Sequence, residues 1–236
     1  MEIDVIITFI ELIGLVSFSI SGAVVSIDRE MDFVGVVFLS MTTCFGGGIM
    51  RDLIIGRTPL FFTSMWLYLS VAFAVAVAVF IFARLCKDWY VKKEALVMSV
   101  NNYIDALGLG AFVVSSVTMC MEYCPEKGAF LAIMMGVLTA VGGGMIRDVC
   151  LLTVPFVLKK RIYAAAALAG SIVYYLLANY LLAGTTAGEI LSCIIGILTV
   201  FSIRVIATVF KLNFPKAIDF SRTLREAEQR DTSNMT

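Results

Sequence analysis

The sequence predicts an all-α polytopic membrane protein of seven transmembrane helices, arranged as two inverted three-helix repeats plus a seventh helix. Composition, the number of long apolar runs and an internal repeat predict it. Of 236 residues, 60% are hydrophobic and only 15% charged, and the mean hydropathy of +0.96 is far above that of a chain that folds in water. A span requires about 20 mostly apolar residues, because only a helix of that length crosses about 30 Å of hydrocarbon with its backbone groups satisfied.

Seven such runs follow one another: Val5 to Ile27, Phe33 to Gly56, Thr63 to Ala83, Leu96 to Met119, Gly128 to Leu152, Arg161 to Leu182 and Ala187 to Val209. They leave no room for a separate soluble domain, so residues 1–210 are expected to form one transmembrane domain. Within it, repeat one covers about 5–83, repeat two about 97–182 and the seventh helix about 187–209. Residues 211–236 read as a polar tail. The first run contains Glu11 and lacks a basic start and a small-residue cleavage site, and is expected to be retained as a span.

Basic and acidic residues number 18 each, so net charge points to no nucleic-acid partner. Their placement is informative. Arg29, Arg84, Lys87, Lys92, Lys93, Lys159, Lys160, Arg161 and Lys211 fall on one side of the helices, which predicts that side to be cytoplasmic, the N-terminus outside and the C-terminus inside. Lys159 to Arg161 are read as topology determinants that also contact anionic lipid. Phe61, Phe62, Trp66 and Tyr68 read as an interfacial aromatic belt.

The six cysteines form no framework. Cys44, Cys150 and Cys193 read as small core residues and Cys86 faces the reducing side. Cys120 and Cys124 lie together, and a disulfide and two free thiols are both compatible with their spacing. With no histidine and no zinc-spaced cysteine pairs, neither a structural metal nor a cofactor is expected.

The repeat is the strongest signal. Cys44 to Pro59 aligns with Ala140 to Pro155 so that Gly46, Asp52 and Pro59 match Gly142, Asp148 and Pro155 at one offset of 96, and Glu11-Leu-Ile-Gly14 matches Asp105-Ala-Leu-Gly108 at an offset of 94. Three spans per unit make the second unit enter the bilayer from the opposite face. Inverted repeats place substrate or ion paths near the midplane at the repeat interface.

Each unit carries Gly-Gly-Gly-x-x-Arg-Asp in its second helix. Three glycines in a span each cost about 0.8 to 1 kcal/mol relative to alanine. Either close helix packing or a path-lining break accounts for one triplet; two copies, each followed by Arg-Asp, favour a helix break that acts as a hinge at Gly46, Gly47, Gly48, Gly142, Gly143 and Gly144. A phosphate-loop reading fails on spacing and on the absence of a preceding strand.

Arg51, Asp52, Arg147 and Asp148 lie within spans, where charges face a partner or a wet cavity. Glu11 sits about 9 Å and Arg51 about 8 Å from the same membrane face at 1.5 Å per residue, which predicts a Glu11–Arg51 pair and, by symmetry, an Asp105–Arg147 pair. Pro59 and Pro155 read as helix punctuation.

This paired motif, together with a seventh helix, resembles the trimeric intracellular cation channels, and more closely their prokaryotic branch, whose repeat unit is also catalogued as a glycine-transporter domain. The resemblance runs over roughly Ile10 to Phe210. It implies a homotrimer in a prokaryotic plasma membrane. Each protomer would hold its own pore, kinked at the two triplets and conducting monovalent cations, chiefly potassium and sodium. The Lys-Glu-Val motif of animal members, which binds phosphoinositide, is absent.

As a cation channel, the chain would use carbonyls at the glycine breaks and the carboxylates of Glu11, Asp52, Asp105 and Asp148 to offset ion dehydration, with Arg51 and Arg147 neutralised by neighbouring acids. An alternative is a secondary transporter of a small amino acid such as glycine, held by an arginine and a carboxylate; a third is an assembly subunit. No recurring nucleophile, base and orienting group suggests an enzyme.

Overall fold

The computed structural model describes residues 2–59, 66–159 and 162–212. Among them, seven helices are long and apolar enough to cross a membrane: α1 (Glu2–Asp28), α2 (Phe33–Ile54), α3 (Trp66–Leu85), α4 (Glu94–Tyr123), α5 (Gly128–Cys150), α6 (Tyr163–Leu176) and α7 (Thr186–Val209). A π-helical turn, Leu177–Leu181, prolongs α6. Short helices Lys87–Lys92 and Phe156–Lys159, which hydropathy did not reveal, lie between spans. Phe61, Phe62, Lys160 and Arg161, and the side chain of Lys159, fall outside the described residues.

Local chemistry sets the ends. The Asp32 carboxylate caps α2 by accepting from Gly35 N at 2.8 Å, and Thr185 caps α7 by accepting from Gly188 N at 3.1 Å. The ends of α2 and α5 close alike: Arg57 N donates to Asp52 O at 2.8 Å and Thr153 N to Asp148 O at 2.9 Å. Between them the chain turns through a left-handed residue, Gly56 (φ 77°) in one copy and Leu152 (φ 52°) in the other.

The inverted symmetry is visible in reciprocal contacts. α1 and α4 meet where Phe18 packs edge-on against Phe112, ring centroids 5.0 Å apart. Each ring lies over a glycine of the other helix: a Cβ on Gly14 would stand 3.1 Å from the Phe112 ring, and one on Gly108 2.6 Å from that of Phe18. α2 and α5 cross in the same manner. A Cβ on Gly47 would overlap the carbonyl of Thr139, and one on Gly143 would overlap the carbonyl of Thr43. Small residues let two backbones touch without an aqueous driving force.

The expected helix break is therefore corrected: α2 is helical without interruption through Gly46–Gly48, and α5 through Gly142–Gly144. The first two glycines of each triplet serve close approach. Gly46 faces Ile146 and Gly143, and Gly142 faces Met50 and Gly47. The third faces space, with nothing within 4 Å of a Cβ on Gly48 and only the Arg147 guanidinium, at 3.9 Å, near one on Gly144.

Two further readings are corrected. Tyr68 is buried in the core, whereas Trp66 is 81% exposed as a belt residue would be. Cys150 faces outward, while Cys44 and Cys193 are buried, and Cys120 and Cys124 are buried free thiols.

This division of the triplet predicts unequal effects from equal changes. Gly47→Ala and Gly143→Ala should each lower stability by about 1–3 kcal/mol, since the added methyl meets backbone. Gly48→Ala should leave stability equal or raised by up to about 1 kcal/mol through helix propensity. Thermal unfolding in detergent measures the difference; equal behaviour of Gly47→Ala and Gly48→Ala would refute the assignment.

Candidate functional site

Two half-sites follow from the repeat, each built on the final turns of a triplet helix and the first helix of one repeat. In the first, the Arg51 guanidinium forks onto its neighbour, Nε donating to Asp52 Oδ1 at 2.9 Å and Nη2 lying 2.8 Å from the same oxygen. Its Nη1 reaches Glu11 Oε1 at 3.9 Å, the predicted pair. Glu11 also accepts from Ser115 Oγ at 2.6 Å and from Tyr68 OH at 3.3 Å. One carboxylate of α1 is thus held from α2, α3 and α4.

The second half-site repeats this pattern with one substitution. Arg147 forks onto Asp148 Oδ1 at 2.9 and 2.8 Å. Its Nη1 donates to Ser21 Oγ at 3.2 Å, and Ser21 Oγ donates to Asp105 Oδ1 at 3.1 Å. The expected Asp105–Arg147 pair is made through one bridging hydroxyl, that of Ser21. Asp105 also meets Arg204 of α7, Nη2 to Oδ2 at 3.9 Å. Arg204 is 1% exposed and lies over the rings of Tyr163 at 4.5 Å and Phe156 at 5.7 Å. Asp148 Oδ2 accepts from Phe156 N at 2.7 Å, tying the end of α5 to the short helix that follows.

Arg51, Asp52, Arg147 and Asp148 are all buried, so each arginine needs its adjacent carboxylate, because an unpaired charge out of water is far costlier than a paired one. Among the described residues, no three Cys, Asp or Glu side chains gather into a metal-binding cluster.

The half-sites open into cavities of very different size. The first, about 70 Å³, is lined by Glu11, Phe45, Gly48, Arg51, Asp52 and Tyr68. The second, about 710 Å³, is lined by Ser21, Asp105, Val141, Gly144, Arg147 and Tyr163, and extends to Asp28 and Arg29 on the basic side. Glu11, Gly48, Arg51, Asp52 and Tyr68 of the small cavity correspond to Asp105, Gly144, Arg147, Asp148 and Tyr163 of the large one, and Phe45 stands where Val141 does. The α2–α5 crossing, Gly47 on Thr139 and Gly143 on Thr43, stands beside both cavities: Gly48 and Thr139 line the small one, Val141 and Gly144 the large one.

All six charged residues singled out from the sequence thus line the two cavities. Arg204, Ser21, Ser115 and Tyr163 were missed, and Tyr68 was misread. Two signals were available. Ser21 and Ser115 stand ten residues after Glu11 and Asp105, at the same offset of 94, and Arg204 is a lone charge deep in an apolar run.

The sequence family described as Glycine transporter matches twice, over residues 8–84 and 102–179. The membrane protein YvgT of Bacillus subtilis is 36% identical over 70% of this chain and 77% of its own length, and the inner membrane protein YadS of Escherichia coli K12 is 32% identical over 70% and 76%. A relative in Vibrio cholerae is 34% identical over 69% of this chain but only 64% of its own length. Among solved structures, a prokaryotic TRIC channel in 0.5 M KCl superposes with a TM-score of 0.77 and 27% identity, covering 89% of this chain and 99% of that one. The TRIC trimeric intracellular cation channel orthologue of Rhodobacter sphaeroides gives 0.75 and 32%, covering 88% and 99%.

The geometry ranks the bonds to Glu11. Ser115→Ala removes the short hydrogen bond to a buried carboxylate and should cost roughly 1–3 kcal/mol; Tyr68→Phe removes the long one and should cost less. Denaturation midpoints of the two variants test the order, and a larger loss for Tyr68→Phe would contradict it.

Proposed function

The chain belongs to the glycine-transporter-domain family of membrane proteins, which includes the prokaryotic trimeric intracellular cation channels, and from that premise we propose that it is a plasma-membrane channel for monovalent cations, potassium and sodium. A homotrimer carries one pore inside each protomer, with the N-terminus outside and the C-terminus cytoplasmic. The observation that carries this reading is the pair of cavities, one at each glycine triplet, each lined by two carboxylates and by the third glycine of its triplet.

An arginine in a cation path must be neutralised, and both are: Arg51 and Arg147 lie within 2.9 Å of Asp52 and Asp148. Glu11, Asp52, Asp105 and Asp148 then compensate an ion that sheds water at midspan. The wide cavity lies beside Asp28 and Arg29, at the end that the positive-inside rule assigns to the cytoplasm, so cations enter it hydrated. The narrow cavity is the gate. Opening it requires the Glu11 cluster of four helices to loosen and the Phe45 ring to withdraw. The two unbroken helices slide past each other at the triplet crossing, Gly47 on Thr139 and Gly143 on Thr43.

In planar bilayers under a potassium chloride gradient, the protein should give steps whose reversal potential lies toward that of potassium. Arg51→Ala leaves two acids unopposed in the narrow cavity and should raise cation conductance or open time by about twofold or more. Unchanged currents in Arg51→Ala, or saturable glycine counterflow into proteoliposomes, would overturn the channel reading.

A further inference from the structure

The two half-sites differ in one respect that the repeat does not explain. The lining of the narrow cavity holds two acids, Glu11 and Asp52, and one base, Arg51. The wide cavity has Asp105 and Asp148 with Arg147, the same set, but α7 adds Arg204 against Asp105 at 3.9 Å. Asp28 and Arg29 at its mouth add one charge of each sign. The narrow half therefore carries a formal surplus of one negative charge, and the wide half none.

We propose that Arg204 is the residue that sets the charge of the wide half-site, so that a path symmetric in sequence is electrically unequal along its length. Its place supports this role. Arg204 comes from the one helix without a counterpart in the repeat, and the rings of Tyr163 and Phe156 hold its guanidinium beneath the Asp105 carboxylate. Occupying that carboxylate frees Arg147 to bind Asp148 and Ser21, whereas in the other half Arg51 serves both acids. Permeant cations then concentrate in the narrow half, and current depends on direction.

This inference rests on the cation-channel reading for its first measurement and not for its second. In single-channel recordings in symmetrical potassium chloride, Arg204→Gln should increase the current entering from the wide side by about twofold or more and reduce rectification. Asp105→Asn should act with the opposite sign, and the double variant should restore the wild-type ratio. Arg204→Lys keeps the charge and loses the planar stacking, so it should retain the wild-type rectification whatever its absolute conductance. The second measurement needs no current. The melting temperature of Arg204→Gln should rise in potassium chloride relative to N-methylglucamine chloride by more than that of the wild type or of the double variant, whose narrow halves alone carry surplus negative charge. Should the wild type pass no cation current, the channel reading fails and this salt dependence alone decides the role of Arg204. Should Arg204→Gln fail to fold, Asp105→Asn and Arg204→Lys still carry the sign test. A melting temperature of Arg204→Gln indifferent to potassium, or rectification in Arg204→Lys equal to that of Arg204→Gln, would overturn the proposal.

Discussion

One buried carboxylate in the first helix of each repeat constrains everything around it. Glu11 takes bonds from α2, α3 and α4; Asp105 takes them from Ser21 of α1 and Arg204 of α7. In water such a group would find solvent partners, and the helices would be free to part. In hydrocarbon the only partners are other helices, and leaving one bond unmade costs the full desolvation of a charge. The carboxylates thus add to the hydrogen bonds that join these helices elsewhere, such as Ser19 with Ser40 and Ser116 with Thr139, in a medium where apolar contact alone does little to draw helices together. They also gather charged groups around two cavities in a bundle whose other buried polar side chains, such as Ser19, Ser40, Ser116 and Thr139, are uncharged.

The glycine triplets solve the matching steric problem. The seam between α2 and α5 is tight where the helices cross and empty where a cavity adjoins it, and both features fall within one turn. Consecutive residues on a helix point about 100° apart, so three glycines in a row cover both directions. Gly47 and Gly143 let each backbone touch the other at a threonine carbonyl, and Gly48 and Gly144 leave the adjoining space unfilled. An unbroken helix suffices for this, because the freed volume comes from missing side chains and not from missing hydrogen bonds.

Much of this was legible in the sequence. Seven spans, the repeat and its inversion follow from hydropathy and spacing, and the Glu11–Arg51 pair follows from depth alone. What was misread depends on direction around a helix axis, which depth does not give. Tyr68 sits at the depth of a belt but points inward, Cys150 closes α5 and points outward, and Asp105 and Arg147 share a level yet face the same serine. Symmetry itself misled at Arg204. Copying one half-site onto the other supplied Asp105 with an arginine already, and attention to the repeat passed over the helix outside it. The glycine break was misjudged for a related reason: helix propensity scores a residue against its own helix, whereas the triplets are explained by a neighbouring one.

Inverted repeats of identical sequence would make the two cavities interchangeable, and a closed half would open as its partner closed. Here the sequence removes that equivalence at two places. Phe45 fills the volume that Val141 leaves empty, and Arg204 adds to one half a charge that the other lacks. A difference of one aromatic ring and one buried charge is large against the few kcal/mol that separate alternative packings of a single bundle. The cavities of about 70 and 710 Å³ are therefore fixed as one wide and one narrow half. In the channel reading proposed above, that asymmetry gives the gate one location, and the residues that tie Glu11 to its three neighbouring helices are the ones that must move for it to open.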